Sequence, residues 1–169
     1  RTKKLSAIAV FLAFIAGVYY FVTLPRTDPL LERGMYVTKA FLDNDEVRIR
    51  AVASKDTEED AALWLEKGRA MNGMKGNAND FTYDTGIMSG GIKQGGAELM
   101  ATLSPRTASA VAAPEKGAPA GPAYQMLTVN MFFIPDQQGQ WRLDGRQSLS
   151  SVTTQMKERQ RALGKAGGR

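Results

Sequence analysis

Residues 124–145 read YQMLTVNMFFIPDQQGQWRLDG. Successive side chains of a strand point to opposite sides, so Leu127, Val129, Met131 and Phe133 share one apolar face. Met126, Thr128, Asn130, Phe132 and Ile134 make the other face, which is mixed. PDQQG supplies turn residues, and QWRLDG then alternates again. Trp141 and Leu143 are expected inward, Arg142 and Asp144 outward. The stretch is an antiparallel hairpin.

Helix signals precede it. Asp28 can cap a helix and Pro29 suits its first position. Leu30, Leu31, Gly34, Met35, Val37, Thr38, Phe41 and Leu42 then recur with a 3.6-residue period, to an end near Asn44. In EVRIRAVAS, 46–54, Val47 and Ile49 alternate with Arg48 and Arg50, which suggests a strand. A short helix competes, because Val47, Arg50 and Ala51 also suit helical spacing. A second clear helix starts at Thr57. Glu58, Glu59 and Asp60 fill its first turn, where negative charge suits the helix dipole. Thr57 and Asp60 resemble a capping box. Ala61, Trp64, Leu65 and Gly68 form its inner face, and it ends around Met71 and Asn72.

Residues 73–96 are rich in Gly and Asn. Strands are expected around Phe81, Tyr83 and Ile87, and over 97–104. Residues 105–123 hold 7 Ala, 4 Pro and 2 Gly and read as an exposed loop. The tail, 151–169, begins as a helix through Met156 and ends in GKAGGR. Helices first and antiparallel strands after define an α+β domain.

The N-terminus has a different character. Residues 5–24 read LSAIAVFLAFIAGVYYFVTL, twenty positions with no charge. As a helix this run spans about 30 Å, the thickness of a bilayer's hydrocarbon core. Leu5, Phe11, Phe14, Tyr19, Tyr20 and Phe21 are the anchor residues, the two tyrosines near the interface. A cleaved signal peptide would need a shorter apolar core and an A-x-A-like site, which VTLPRTDP does not offer. Arg1, Lys3 and Lys4 precede the span closely and only Arg26 follows closely, so the N-terminus is placed in the cytoplasm. The expected layout is a basic cytoplasmic flank (1–4), a transmembrane helix (5–25), an extramembrane α+β domain (26–148) and a basic tail (149–169). In a bacterium this is a single-pass inner-membrane protein with its domain in the periplasm.

Composition narrows the chemistry. The 169 residues include no Cys and no His. Disulfides, thiolate or imidazole metal sites and c-type haem attachment are excluded, as are Ser-His-Asp and Cys-His catalysis from this chain alone. A general acid or base would have to be Asp, Glu, Lys or Tyr. The formal charge of +5 sits at the ends: +3 over 1–4 and +4 over 157–169, against −2 between. That distribution offers a folded face no basic stripe, and no nucleic-acid partner is expected.

The order of elements resembles the NTF2-like (SnoaL-like) superfamily. Its domains open with a helix ending in a phrase such as A-F-x-x-x-D, here within Lys39-Ala40-Phe41-Leu42-Asp43-Asn44-Asp45. Their last hairpin often carries Gly-x-Trp-hydrophilic-apolar-Asp, here Gly139-Gln140-Trp141-Arg142-Leu143-Asp144 followed by Gly145. The resemblance covers about residues 28–148 and implies helices packed on a curved antiparallel sheet. The Ala/Pro segment and the Gly-rich stretch depart from the pattern. Enzymes of the superfamily often use an Asp–His pair, which a chain without His cannot supply. Its membrane-anchored members more often look like assembly or scaffold domains.

Other candidate sites have plainer readings. Asp43, Asp45 and Glu46 lack the glycine and the twelfth-position acid of a calcium loop and read as a solvated helix end. Glu58, Glu59 and Asp60 point to different sides of a helix. GIMSGGIKQGG, 86–96, fails the phosphate-loop pattern and reads as a flexible or partner-ordered loop. Tyr83, Asp84, Tyr124 and Asn130 are pocket candidates if the domain is a cone, with core and sheet-surface roles as the alternative. The eight methionines are scattered, as core fillers are. Lys157, Arg159, Arg161 and Lys165 are candidate contacts to an acidic partner or anionic headgroups.

No catalytic, cofactor or metal residue is expected. The combined reading is a non-catalytic accessory subunit that stabilises a multi-subunit membrane complex, in contact with integral membrane subunits and the bilayer. Bacterial photosynthetic reaction-centre–light-harvesting and respiratory complexes are the named possibilities. A tethered NTF2-like ligand-binding domain or enzyme, and an envelope assembly or secretion factor, are the alternatives.

Overall fold

The computed structural model describes residues 28–93, 95–112 and 126–166. The anchor residues Leu5, Phe11, Phe14, Tyr19, Tyr20 and Phe21 lie outside them, as do Tyr124 and most of the Ala/Pro segment. No helix among the described residues is long and apolar enough to cross a membrane.

The described residues form three α-helices, a four-stranded antiparallel sheet and a fourth α-helix. Helix α1 spans Pro29–Leu42; Asp28 Oδ1 accepts from the Leu30 amide at 2.9 Å, and Pro29 occupies the first turn. Leu30, Gly34, Val37, Thr38, Phe41 and Leu42 are buried as the period requires. Met35 is not: it lies on the solvent side, 51% exposed. Helix α2 spans Glu46–Val52, so the segment read as a strand is helical. Asp45 Oδ1 takes the Arg48 amide at 3.0 Å, which starts the helix, and Arg50 bonds Glu46 one turn away. Helix α3, Glu58–Met71, buries Ala61, Trp64, Leu65 and Gly68.

Strands β1 (Phe81–Lys93), β2 (Gly96–Pro105), β3 (Leu127–Pro135) and β4 (Trp141–Leu143) form a meander in that order. The register sets Thr85 opposite Ala101, Leu99 opposite Met131 and Phe133 opposite Leu143. The glycine-rich stretch is therefore largely strand; the ladder shifts register between Ile87 and Ile92. Ala53 bridges Leu143 in parallel, and the Ser54 amide donates to Leu143 O at 3.0 Å, so the connection after α2 covers part of the β4 edge.

The inner face of the sheet carries Phe81, Leu99, Leu103, Met131, Phe133 and Leu143, all fully buried. Helix α1 lies against it at Gly34, where an added Cβ would meet the Leu99 and Thr85 side chains. Beside this contact Thr38 donates to Gly34 O and lies 3.1 Å from the Thr85 hydroxyl. Trp64 stacks obliquely on Phe41, with ring centroids 5.0 Å apart. Its buried indole N–H has no partner among the described residues.

Helix α4 runs from Gly145 to Ala166, ten residues beyond the Met156 end expected from sequence, so the boundary at 148 falls inside it. Asp144 is buried rather than outward, and its Oδ1 accepts from the Gln147 amide at 3.0 Å, capping α4. Gly145 sits on the start of α3. Its amide donates to Thr57 Oγ1 at 3.0 Å, and a Cβ there would collide with Thr57 O and the Ala61 backbone. Thr57 therefore does not complete a capping box, since its hydroxyl is turned to Gly145 and Ser54. Further along, Val152 lies against Gly68, and Arg159 donates to Met71 O. Helices α3 and α4 thus run side by side in the same direction.

Gly145→Ala should force α4 off Thr57, an overpacking cost of about 2–3 kcal/mol that lowers Tm by about 5–10 °C in thermal unfolding. A second prediction concerns Asp136 in the β3–β4 turn, whose Oδ1 accepts from the Gln138 and Gln140 amides, both at 2.9 Å, and whose Oδ2 meets Arg142 Nε at 3.0 Å. The Gln140 amide foremost, with Arg142, holds this carboxyl below the usual carboxylate range. A depressed folded-state pKa contributes stability above the unfolded value of about 3.9, lost as pH falls through the folded value. In urea titrations, the stability gap between wild type and Asp136→Asn should be flat above about pH 5 and close below about pH 4.

Candidate functional site

Most charged residues singled out in the sequence are engaged in holding the fold. Asp43 Oδ1 accepts from the Ala78 amide at 3.0 Å, tying the end of α1 to the entry of β1, while Asp45 caps α2. No group of acids among the described residues is placed to hold a metal ion. Asp60 pairs with Arg146 at 3.5 Å and Glu59 with Arg50, so the acidic turn of α3 faces two different neighbours. Arg69, which the sequence reading passed over, donates to Phe41 O, Leu42 O and Gly76 O at 2.6–3.0 Å. It satisfies the last carbonyls of α1, and its partial burial lowers its pKa without discharging it. The available signal was a basic residue one helical turn beyond Leu65 on the inner side of α3.

Of the pocket candidates, the three that lie among the described residues do not converge. Tyr83 points into the core and Asp84 to solvent, as neighbours on β1 must. Asn130 is on the outer face of β3, where its amide reaches Glu98 at 3.3 Å. A groove of about 290 Å³ lies elsewhere, between α2 and α3, lined by Glu46, Arg50, Glu59, Leu63, Leu65 and Glu66. Arg50 closes it: its guanidinium holds Glu59 through two bonds of 2.6 and 2.9 Å and Glu46 at 2.7 Å. These carboxylates raise the Arg50 pKa, and Arg50 in turn lowers that of Glu59. An arginine so occupied offers no free cation to an anionic ligand.

The candidate contact residues fare differently. Residues 157–162 of α4 are all exposed, so this part of the helix projects from the domain. Lys157 and Arg161 stand four residues apart, and no ion pair among the described residues includes either. Arg159 is turned back to Met71 O at 2.6 Å. Lys165 lies within α4 near its end. The structure thus separates one tethering cation from two free ones, a distinction one helical wheel suggests only once the helix is known to continue.

No protein-family model, no curated protein and no solved structure matches this chain.

Arg159→Ala removes the link between α4 and the end of α3. Hydrogen exchange should quicken at the amides of residues 157–166, with those of 148–156 unchanged, because Ser148 and Val152 stay buried.

Proposed function

We propose that this chain is a membrane-anchored, non-catalytic accessory subunit that stabilises a multi-subunit membrane complex. The observation that carries the reading is the projecting stretch 157–162 of α4, all exposed, whose Lys157 and Arg161 enter no ion pair among the described residues. The uncharged run 5–24 supplies the tether, and a domain in the NTF2-like manner, helices on an antiparallel sheet, supplies the body. The charge asymmetry around the tether favours a body on the periplasmic side of a bacterial inner membrane. Respiratory and photosynthetic assemblies, and envelope assembly or secretion machines, all recruit subunits of this form.

A tethered ligand-binding domain or enzyme draws less support. The inner face of the sheet is filled by Phe41, Trp64, Leu99, Met131 and Phe133, each at 0–1% exposure. A ligand would have to displace packed side chains there.

Gentle detergent extraction from native membranes, followed by size separation, tests the proposal. The chain should migrate with a large assembly, whose subunits and absorption spectrum then name the complex. Migration alone, as a monomer with its detergent, would overturn it.

A further inference from the structure

We infer that residues 157–166 dock onto an acidic segment of a partner protein, one presenting carboxylates about 6 Å apart as an i, i+4 line on a helix does. The inference rests on the accessory-subunit reading and adds the chemistry of the contact.

The first argument is electrostatic. Lys157 and Arg161 are exposed at four-residue spacing, and Lys165 continues that spacing in the sequence. Like charges so placed weaken a helix. The helix dipole favours cations only in the last turn, so it does not offset Lys157. Glu158 is the one acid in the stretch, and it forms no ion pair among the described residues. No acid among the described residues pairs with these cations, and a row of carboxylates matches them in sign and spacing.

The second argument is directional. The sequence-derived span ends at Pro25, three residues before Asp28, a reach of about 10 Å. Helix α1 then carries the chain through 14 residues, about 21 Å, to Leu42. Leu42 O is bonded by Arg69 near the end of α3, and Arg159 bonds Met71 O at that same end. The cationic half of α4 therefore leaves the domain at the end of α1 remote from the tether. On the accessory-subunit reading the tether joins the domain at the other end of α1, at Asp28. Residues 25–156 carry net −2, so the cations do not continue into a basic surface that could track a phosphate backbone.

The test uses the full chain in native membranes. A photoreactive side chain at position 160, exposed beside Lys157 and Arg161, should form an adduct with a carboxylate-bearing segment of a protein in the assembly. Adducts with lipid or nucleic acid, or within the chain alone, overturn the inference. In parallel, Lys157→Glu with Arg161→Glu should lower the assembly-bound fraction by about tenfold, whereas Lys157→Arg with Arg161→Lys should keep it. Both positions are exposed, so thermal unfolding should be the same in all three chains. Co-migration of wild type and charge-reversed chain alike would overturn the acidic contact and leave the accessory reading intact. Wild type migrating alone would overturn both.

Discussion

The hydrogen bond from the Gly145 amide to the Thr57 hydroxyl, at 3.0 Å, is the constraint on which the rest of the architecture turns. It joins the end of the sheet to the start of α3, and it requires a residue without a side chain, because Thr57 O and Ala61 occupy the space a Cβ would take. Thr57 gives up the usual capping role to accept this bond, and Ser54 completes its hydrogen bonding. Once Gly145 is seated, Asp144 caps α4, and the Ser148 hydroxyl receives the Phe132 amide that lies past the short β4 strand. The strand is only three residues long, so a donor on its neighbour would otherwise be left open. The direction of α4 is thereby set from both sides, by α3 and by β3.

Charged side chains elsewhere in the fold serve similar local ends. Asp28, Asp45 and Asp144 start helices, Asp43 fastens the entry to β1, and Arg69 closes the end of α1. Asp136 and Arg142 hold the last turn, and Arg50 with Glu46 and Glu59 holds α2 to α3. These are positions where an ionised side chain completes the backbone's hydrogen bonds or joins two elements. Lys157 and Arg161, like Lys39, Lys55, Lys75 and Arg106, enter no ion pair among the described residues; what marks them is their place one turn apart on an exposed stretch of helix.

The parts legible in the sequence were those in which local signal and tertiary packing agree. The alternation from Leu127 to Phe133 and the period of Ala61, Trp64, Leu65 and Gly68 each mark an inner face, and the structure buries all of these residues but Leu127, which is half-buried. Asp28 followed by Pro29 marked a helix start through a bond within two residues. The segment 46–52 misled because seven residues are too few to separate a period of 2 from one of 3.6. What decided it was Asp45 and the Arg50–Glu46 pair, both local, together with Glu59, which is not. Asp144 read as outward because strand alternation was carried one residue too far, into a helix cap. The glycines of 86–96 suggested a loop, but main-chain pairing with β2 needs no side chain. For the candidate contacts, composition named the four cations; only the length of α4 and its contact with Met71 sorted Arg159 from the others.

The length of α4 has its own physical logic. A stretch of ten residues carrying Lys157, Arg159, Arg161, Lys165 and one acid, with Gly164 near its end, would not hold a helix alone in water. It continues a helix that is already nucleated and packed through Ser148 and Val152, so each added residue extends an existing turn. Arg159 adds a fixed point where the packed part ends, by closing a carbonyl at the end of α3. The fold therefore concentrates its packing at residues 145–156 and displays the cationic turns beyond them. A flexible tail of the same composition would carry the same charge, but it would lose more conformational entropy on meeting a partner. A helix already aligned by Gly145 at one end and Arg159 near the other presents its cations in order, which is the form that recognition of a patterned acidic surface requires.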